Sequence, residues 1–266
     1  MRVLRLLLST VMLFVLDTAP AIASAPDAGR ADGKTLTVFA AASLRDVFGT
    51  LGSTFERENP GSKVQFNFAG SQELRTQLEH GAPADVFVSA DMKHMDAARK
   101  GGLVDAPKLF ATNAPVIVVP ADNPGKVASL KDLATVKRLV IGTPEVPVGT
   151  YTLQILDKAK SKYGPDFPAQ VQARVVSREL NVRQVLTKVS LGEADAGIVY
   201  RTDARSAGDK VRVVEIPAEL NVLADYPIAT VTKAPHADLA RAWVALVTGP
   251  TGQAALKDAG FGGASK

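Results

Sequence analysis

Apolar and polar residues alternate in two rhythms along most of this chain of 266 residues. Short apolar runs, typical of buried strands, are followed by stretches in which apolar residues recur every three to four positions. Residues 36–41 form the first such run, and residues 44–57 form the first such stretch, with Val47, Leu51 and Phe55 on its inward face. This alternation predicts an α/β fold, with mostly parallel sheets flanked by helices.

The predicted elements fall into two series. The first continues with strands at 63–69 and 85–89 and helices at 72–80 and 93–100. After a connecting strand at 116–119, the second series has strands at 138–142, 171–177 and 196–200 and helices at 149–163 and 182–190. A strand at 227–231 and a helix at 238–247 then return to the first series. We therefore expect two sheets in two lobes, with residues 34–114 plus 226–266 as lobe I and residues 115–225 as lobe II.

The N-terminal residues have the pattern of a secretory signal peptide. Arg2 and Arg5 precede the apolar residues 6–16, and small residues follow up to Ala23. The apolar run is shorter than the roughly 20 residues that a membrane-spanning helix needs. We expect cleavage after Ala23, so that residues 1–23 are the signal peptide, residues 24–33 a flexible leader, and the mature protein is exported to the periplasm.

Composition narrows the class of protein further. The sequence contains no cysteine, so we expect neither disulfides nor a lipid-modified cysteine, and a free monomer. The formal net charge is only +4, and no stripe of basic and aromatic residues indicates nucleic acid as a partner. Charged residues or prolines interrupt every later apolar run, so we expect no membrane insertion of the mature chain.

Two serines follow the first two predicted strands directly. Ser43 comes after the strand at 36–41, and Ser71 follows Gly70 after the strand at 63–69. Each serine alone fits a helix N-cap. Together, at the carboxyl ends of neighbouring parallel strands, they also fit a ligand site, because helix N-termini present free amide donors there.

The second series offers matching elements. Residues 144–149 lead into one helix, and Asn181 and Val182 open another, so both segments would direct backbone amides out of a helix N-terminus. Tyr200 ends an apolar run, which places its hydroxyl at the carboxyl end of a strand. The alternatives remain a simple N-cap for Asn181, a rigid proline loop at 144–149, and a core position for Tyr200.

Four segments together resemble the periplasmic molybdate-binding proteins of molybdate ABC transporters. They are residues 38–44 (VFAAASL), 81–91 (GAPADVFVSAD), 197–200 (GIVY) and 226–228 (YPI). The resemblance covers nearly the whole chain after the leader. It implies the two-lobed periplasmic binding protein fold of type II, with the ligand in the cleft between the lobes. It further implies that the protein binds molybdate or tungstate and passes it to a membrane ABC transporter permease.

The resemblance also implies which residues bind the oxyanion. Ser43 and Ser71 would bind through hydroxyl and main-chain amide, Val148 and Val182 through their amides, and Tyr200 through its hydroxyl. It implies no cofactor and no residue that ligates a metal cation, because molybdenum is bound only as its oxyanion. The loop at 145–149 looks one residue shorter than in the family, and Val148 stands where a smaller residue is usual. An amide donor tolerates that change if the backbone path is kept.

A site of this kind holds a doubly charged anion by neutral dipoles alone. Preoriented donors in a dry cleft stabilise charge strongly. A protonated phosphate would be disfavoured, since its hydrogen would meet only donors.

Three other functions remain as alternatives to molybdate transport. A periplasmic hydrolase would need a nucleophile and base, but no Gly-x-Ser-x-Gly motif is present, and we expect His80, His94 and His236 on the surface. No histidine pair has zinc-ligand spacing. Binding of sulfate or another small solute is the main alternative, and a scavenger or sensor without a transporter is a third. The glycine-rich residues 260–263 are expected to be a frayed tail rather than a dinucleotide-binding motif.

Overall fold

The computed structural model describes residues 34–264. The predicted signal peptide and leader, residues 1–33, lie outside the described residues. The strands are β1 (Lys34–Ala41), β2 (Ser62–Ala69), β3 (Val86–Val88), β4 (Lys108–Asn113), β5 (Pro115–Pro120), β6 (Leu139–Gly142), β7 (Val175–Glu179), β8 (Ala196–Tyr200), β9 (Val211–Val214) and β10 (Ala224–Thr230).

The helices alternate with these strands for most of the chain. They are α1 (Arg45–Glu58), α2 (Ser71–Glu79), α3 (Met92–Lys100), α4 (Pro147–Tyr163), α5 (Phe167–Gln172), α6 (Val182–Ser190), α7 (Arg201–Ser206), α8 (Ala237–Thr248) and α9 (Pro250–Ala259). Short 3₁₀ turns lie at Ala42–Leu44, Leu130–Ala134 and Gly208–Lys210.

The ten strands form two sheets of five with the same plan. The first sheet has the order β2-β1-β3-β10-β4 and the second the order β7-β6-β8-β5-β9. In each sheet one strand, β10 or β5, runs antiparallel to both of its neighbours. The other pairings are parallel. The predicted α/β fold with mostly parallel sheets is confirmed, and the limits of the two lobes stay a prediction.

An aromatic cluster fixes the helices of the first sheet. Trp243 of α8 is fully buried, and its ring centroid lies 5.3 Å from that of Phe48 and 5.5 Å from that of Phe55, both on α1. The interplanar angles of 83° and 73° are edge-to-face arrangements, which aromatic rings favour. The face of α1 predicted to point inward is therefore the buried face.

Two local predictions were wrong. Residues 171–172 belong to helix α5 and not to the strand at 171–177, since Phe167 and Val171, four positions apart, are buried on one helical face. The C-terminal segment is docked rather than frayed. Phe261 is buried, and Gly262 and Thr112 exchange backbone hydrogen bonds of 2.9 Å.

Candidate functional site

One small pocket lies where the strand ends of the two sheets meet. It comprises about 220 Å³ of space not occupied by atoms, part of which is open to solvent. Its lining consists of Ala41, Ala42, Ser43, Ala69, Gly70, Ser71, Ala90, Val146, Pro147, Val148, Asn181, Val182 and Tyr200. All five residues predicted to bind the oxyanion are thus brought together, although they come from five separate segments.

No charged side chain lines this pocket among the described residues. The five predicted residues are buried, with exposed fractions of 4% or less. Small side chains, four of them alanine, leave the central space open. An occupant of this pocket would therefore meet neutral donors and short apolar side chains.

The structure excludes the N-cap interpretation of Ser71. Gly70 is the N-cap of α2 and Ser71 is its first helical residue. The hydroxyl of Ser71 instead accepts a hydrogen bond from the backbone N–H of Ala90, at 3.0 Å. Because a serine hydroxyl both accepts and donates, its own hydrogen stays available to the pocket.

Ser43 is not a side-chain cap either. It lies within the 3₁₀ turn Ala42–Leu44, and no side-chain capping hydrogen bond is formed there or at the start of α1. Its Oγ lies 2.8 Å from the hydroxyl oxygen of Tyr226 on β10. Tyr226 and Ser43 are 183 positions apart, and sequence reasoning did not assign Tyr226 a role beyond its place in the quoted segment 226–228.

Three helix N-termini face the pocket. Ser71 opens α2, Val148 is the second residue of α4, and Val182 is the first residue of α6. Amides of the first helical turn have no acceptor within their own helix. They carry the positive end of the helix dipole, which favours a bound anion.

The loop before α4 places Val148 in the lining of the pocket despite its short length. Helix α4 starts at Pro147, two residues earlier than predicted, with Val146 as its N-cap. Proline suits the first helical position because it lacks the N–H that would be unpaired there. Asn181 is the N-cap of α6 and accepts from the N–H of Gln184, as its alternative interpretation proposed.

Tyr200 presents a buried hydroxyl without a partner. Its exposed fraction is 1%, and among the described residues no atom forms a hydrogen bond with its Oη. Burial is the main reason that the pKa of this phenol is raised well above its ordinary value, so it stays protonated. An unpaired buried donor costs about 1–3 kcal/mol, and a bound acceptor would remove that penalty.

Three contacts join the two sides of the pocket. The side-chain amide of Gln72 donates to the carbonyl of Leu180 at 2.8 Å. Nε2 of His94 lies 2.8 Å from the carbonyl oxygen of Glu145. Arg183 forms an ion pair with Asp46. Each contact links the helices of the first sheet with the segments that carry Val148 or Val182.

His94 corrects the prediction that all three histidines lie on the surface. It is 3% exposed, and its backbone N–H donates to Asp91, the N-cap of α3. Its buried position depends on the carbonyl of Glu145, which is 51 residues away. That partner comes from the second series of elements, so the pattern around His94 gave no sign of it.

A buried ion pair lies next to the pocket. Nε of Arg183 is 2.7 Å from Oδ1 of Asp203, whose side chain is fully buried. Burial raises the pKa of Asp203 to about 6, and the charge of Arg183 opposes that shift. Arg183 follows Val182 directly, so the ion pair anchors the first turn of α6 at the site.

The buried carboxylate of Asp85 has structural partners. Asp85 accepts from the backbone N–H of Thr37 at 2.8 Å and of His236 at 2.6 Å.

Within residues 34–264, no three His, Cys, Asp or Glu side chains converge as a metal site. In the same range, no helix combines the length and apolar character required to cross a bilayer.

Comparisons with known proteins agree with this geometry. The family model of bacterial extracellular solute-binding proteins matches residues 36–262. The molybdate-binding protein ModA of Mycobacterium tuberculosis strain H37Rv is 43% identical over 241 residues, which cover 90% of this chain and 88% of that protein.

Two solved structures have the same fold. The periplasmic molybdate-binding protein of Azotobacter vinelandii superposes with a TM-score of 0.74 at 23% identity, covering 85% of this chain and 98% of that one. The sulfate-binding protein SubI of Mycobacterium tuberculosis superposes with a TM-score of 0.76 at 20% identity, covering 86% of each chain. At these identities the likeness shows the periplasmic binding protein fold alone. The chain belongs to the bacterial extracellular solute-binding protein family, together with the ModA proteins.

Proposed function

We propose that this protein binds molybdate, and tungstate in the same way, in the pocket between its two sheets. The unpaired hydroxyl of Tyr200 is the observation that carries the proposal. A donor that is buried, protonated and without a partner indicates an occupant that accepts hydrogen bonds. Three helix N-termini lie at the same pocket, and their free amides and positive dipole ends favour an occupant that is negatively charged.

The donor set fits a tetrahedral dianion. Hydroxyls of Ser43, Ser71 and Tyr200 and first-turn amides at Val148 and Val182 approach the pocket from both sides. Four oxygens directed to the corners of a tetrahedron engage donors on all sides, whereas a planar carboxylate would leave several unused. Neutral donors hold the charge without a counter-ion, because fixed dipoles act strongly in a site that excludes water.

The relatives supply the identity of the anion. A ModA protein with 43% identity over nearly the whole chain supports molybdate as the ligand. Sulfate is the second candidate, because it has the same charge and shape and because a sulfate-binding protein shares the fold. Size separates the two anions. In a pocket whose donors are spaced for molybdate, several hydrogen bonds to the smaller sulfate would be too long, each costing roughly 1 kcal/mol or more.

Calorimetric titration with molybdate, tungstate, sulfate and phosphate tests the ligand. We expect molybdate and tungstate to bind with similar affinity and sulfate at least about a hundredfold more weakly, since about 1.4 kcal/mol corresponds to a factor of ten. Phosphate, protonated near neutral pH, should not compete. Equal affinity for sulfate and molybdate would refute the assignment.

In this proposal the protein is a carrier and not an enzyme. It acts as a free periplasmic monomer after loss of residues 1–23 and delivers the anion to a membrane ABC transporter permease, without cofactor or nucleic acid. Mass spectrometry of the exported protein should give a mature N-terminus at Ser24 with no lipid adduct. A mass that includes Met1 would contradict this part of the proposal.

A further inference from the structure

The hydrogen on each site serine must point at the ligand if the serine is to donate. For Ser71 the direction is fixed locally. The backbone N–H of Ala90 donates to its Oγ at 3.0 Å, and a backbone N–H cannot accept. The hydroxyl hydrogen of Ser71 is therefore not needed for that bond and is free to turn to the pocket.

Ser43 has a partner of a different kind. Its Oγ lies 2.8 Å from Oη of Tyr226, and both groups are hydroxyls, so either one could donate. If Ser43 donated to Tyr226, its lone pairs would face the pocket and repel an anion. If Tyr226 donates to Ser43, the hydrogen of Ser43 is available to the ligand. The direction of this one bond decides whether Ser43 helps or hinders anion binding.

The surroundings of Tyr226 supply the direction. Among residues 34–264, the Ser43 oxygen is the acceptor within hydrogen-bonding distance of the Tyr226 hydroxyl, so the hydrogen of Tyr226 has Ser43 as its destination. Asn113, a buried residue at the end of β4, donates to Oγ1 of Thr202 at 2.8 Å. Its side chain also lowers the pKa of Tyr226, as expected for a second amide hydrogen directed at the phenol oxygen.

The direction of the pKa shifts at Tyr226 agrees with a hydrogen-bond donor at its phenol oxygen. Burial, followed by the charge of Asp203, raises the pKa of this phenol well above its ordinary value. The hydrogen bonds with Ser43 and Asn113 act in the opposite direction and stabilise the phenol oxygen as an acceptor. Tyr226 therefore stays protonated, with one hydrogen to give.

We propose that Asn113 and Tyr226 are positioning residues, which orient the Ser43 hydroxyl toward the bound oxyanion. Donation runs in one direction, from the amide of Asn113 to Oη of Tyr226, from Tyr226 to Oγ of Ser43, and from Ser43 to the ligand. The proposal rests on the proposed function, because it requires an oxyanion in the pocket. Neither Asn113 nor Tyr226 lines that pocket.

The two site serines have the same hydrogen-bonding arrangement. Each accepts from a donor behind it, Ala90 N–H for Ser71 and Tyr226 O–H for Ser43, and so each is left with one hydrogen for the ligand. The pocket then presents hydrogens before the anion arrives, and no hydroxyl has to reorient on binding. A ligand that is itself protonated would find no acceptor from either serine, which favours the fully ionised oxyanion.

A double-mutant cycle with sodium molybdate as the probe tests the role of Tyr226. Tyr226→Phe keeps the ring and removes only the hydroxyl. We expect about a tenfold loss of molybdate affinity in the wild-type background and less than twofold in a Ser43→Ala background, since a residue that acts through Ser43 has no effect once that hydroxyl is absent. Tyr163→Phe, a half-buried tyrosine of α4 outside the pocket, is the matched control and should bind normally.

The direction of donation has its own test. Asn113→Asp replaces a donor by an acceptor of the same shape, so Tyr226 would donate to residue 113 and Ser43 would donate to Tyr226. We expect a loss of at least fiftyfold in the wild-type background, larger than for Asn113→Leu. In the Ser43→Ala background the loss should shrink by tenfold or more, whereas simple repulsion by the new charge would be the same in both backgrounds.

The outcomes separate the two proposals. If wild-type protein fails to bind molybdate, the proposed function is wrong. If wild-type protein binds but Tyr226→Phe binds equally well, or loses the same factor with and without Ser43, the positioning role is refuted. Thermal melting of each variant without ligand shows whether a loss of affinity arises from misfolding.

Discussion

At the scale of single residues, the site combines donors that are already paired with one that is not. Ser43 and Ser71 each have a partner within the protein, whereas the hydroxyl of Tyr200 has none among the described residues. A buried donor without a partner costs free energy until an acceptor is bound. In the proposed function, the Tyr200 hydroxyl therefore favours the closed arrangement of the two sides only when an anion accepts from it.

Substitution of Tyr200 should affect ligand affinity more than stability. Tyr200→Phe removes the unpaired hydroxyl and keeps the ring, so we expect molybdate affinity to fall about tenfold while the stability of the protein without ligand changes by less than about 1 kcal/mol. Ser71→Ala should lower both molybdate affinity and stability, because the N–H of Ala90 loses its acceptor. Chemical denaturation and calorimetry measure the two quantities. A less stable Tyr200→Phe variant with normal affinity would contradict this account.

Asp203 gives stability a pH dependence of unusual sign. Burial raises its pKa from 3.8 to about 6 in the folded protein. Because the folded state holds the proton more tightly than the unfolded state, the stability that this carboxyl contributes is greatest below pH 4 and falls as the pH rises through 6. The total change corresponds to about 3 kcal/mol, at about 1.4 kcal/mol for each pKa unit.

Asp203→Asn isolates that contribution, because asparagine does not titrate. The stability of the wild type minus that of the variant should decrease by about 2.4 kcal/mol between pH 4 and pH 7, since the unfolded carboxyl is already partly ionised at pH 4. Urea unfolding of both proteins across this range measures the difference, and carboxylates elsewhere cancel from it. A difference that is constant with pH would show that Asp203 does not titrate in this range.

Sequence alone could predict residues that line the pocket but not their hydrogen bonds. The positions of Ser43, Ser71 and Tyr200 at strand ends follow from the pattern of apolar runs. The partner of Ser43 is 183 residues away on β10, and periodicity carries no information about such a contact. The same limit explains His94, whose partner carbonyl belongs to a distant loop.

At the scale of elements, the first turn of α4 is held against the end of β6 by a close backbone approach. A Cβ on Gly149 would lie 1.9 Å from the carbonyl oxygen of Thr143 and 2.7 Å from that of Gly142. No side chain fits there without moving the helix. Glycine at 149 therefore lets the first turn of α4, which carries the pocket residue Val148, lie this close to the end of β6.

Gly149→Ala should therefore displace the start of α4. We expect molybdate affinity to fall at least a hundredfold and stability to fall by more than 2 kcal/mol, since the clash is with backbone that cannot swing away. Gly49→Ala is the matched control, because Gly49 is an exposed residue of α1 with no atom within 4 Å of the added Cβ. That control should bind normally and gain about 0.5–1 kcal/mol in stability. Normal binding by Gly149→Ala would contradict the role given to this turn.

Elements with a strong period were predictable, and one short edge strand of each sheet was not. Helix α6 (Val182–Ser190) and strand β8 (Ala196–Tyr200) have the predicted bounds, because apolar residues mark their full lengths. One edge strand of each sheet, β4 or β9, was not predicted, whereas the opposite edges, β2 and β7, were at least in part. Lys108, Thr112 and Asn113 in β4 and Arg212 in β9 interrupt the apolar run that identifies a buried strand.

At the scale of the whole molecule, the two sheets share one plan and meet at the pocket. The chain passes from the first sheet to the second between Asn113 and Pro115, and it returns to the first sheet before Ala224. Both passages lie next to an antiparallel strand, β5 or β10. Contacts of Gln72, His94 and Arg183 then join the two sides around the site. These contacts and the ligand bonds form together if the lobes close on the anion. We therefore expect molybdate to favour the closed arrangement by bridging the two sides.

Gly70 provides the sharpest test of closure. It is the N-cap of α2, and a Cβ at this position would lie 2.3 Å from the carbonyl oxygen of Leu180 on the other side of the pocket. Glycine is thus required by the approach of the opposite lobe as well as by the pocket itself. Gly70→Ala should leave each lobe folded, because its backbone angles of −66° and 143° suit any residue. The added Cβ would also lie 2.4 Å from the side-chain amide of Gln72, but that flexible side chain can move away. The clash with backbone appears only when the two sides meet.

We expect the Gly70→Ala variant to hold the lobes apart. Small-angle scattering should show a smaller radius of gyration for wild-type protein with saturating molybdate than without, and little change for the variant. Its affinity should fall at least tenfold, mainly through faster dissociation, since an open cleft engages donors from one side at a time. Gly49→Ala, which leaves the pocket untouched, should compact like the wild type. Equal compaction of Gly70→Ala and wild type would show that closure does not bring residue 70 against Leu180.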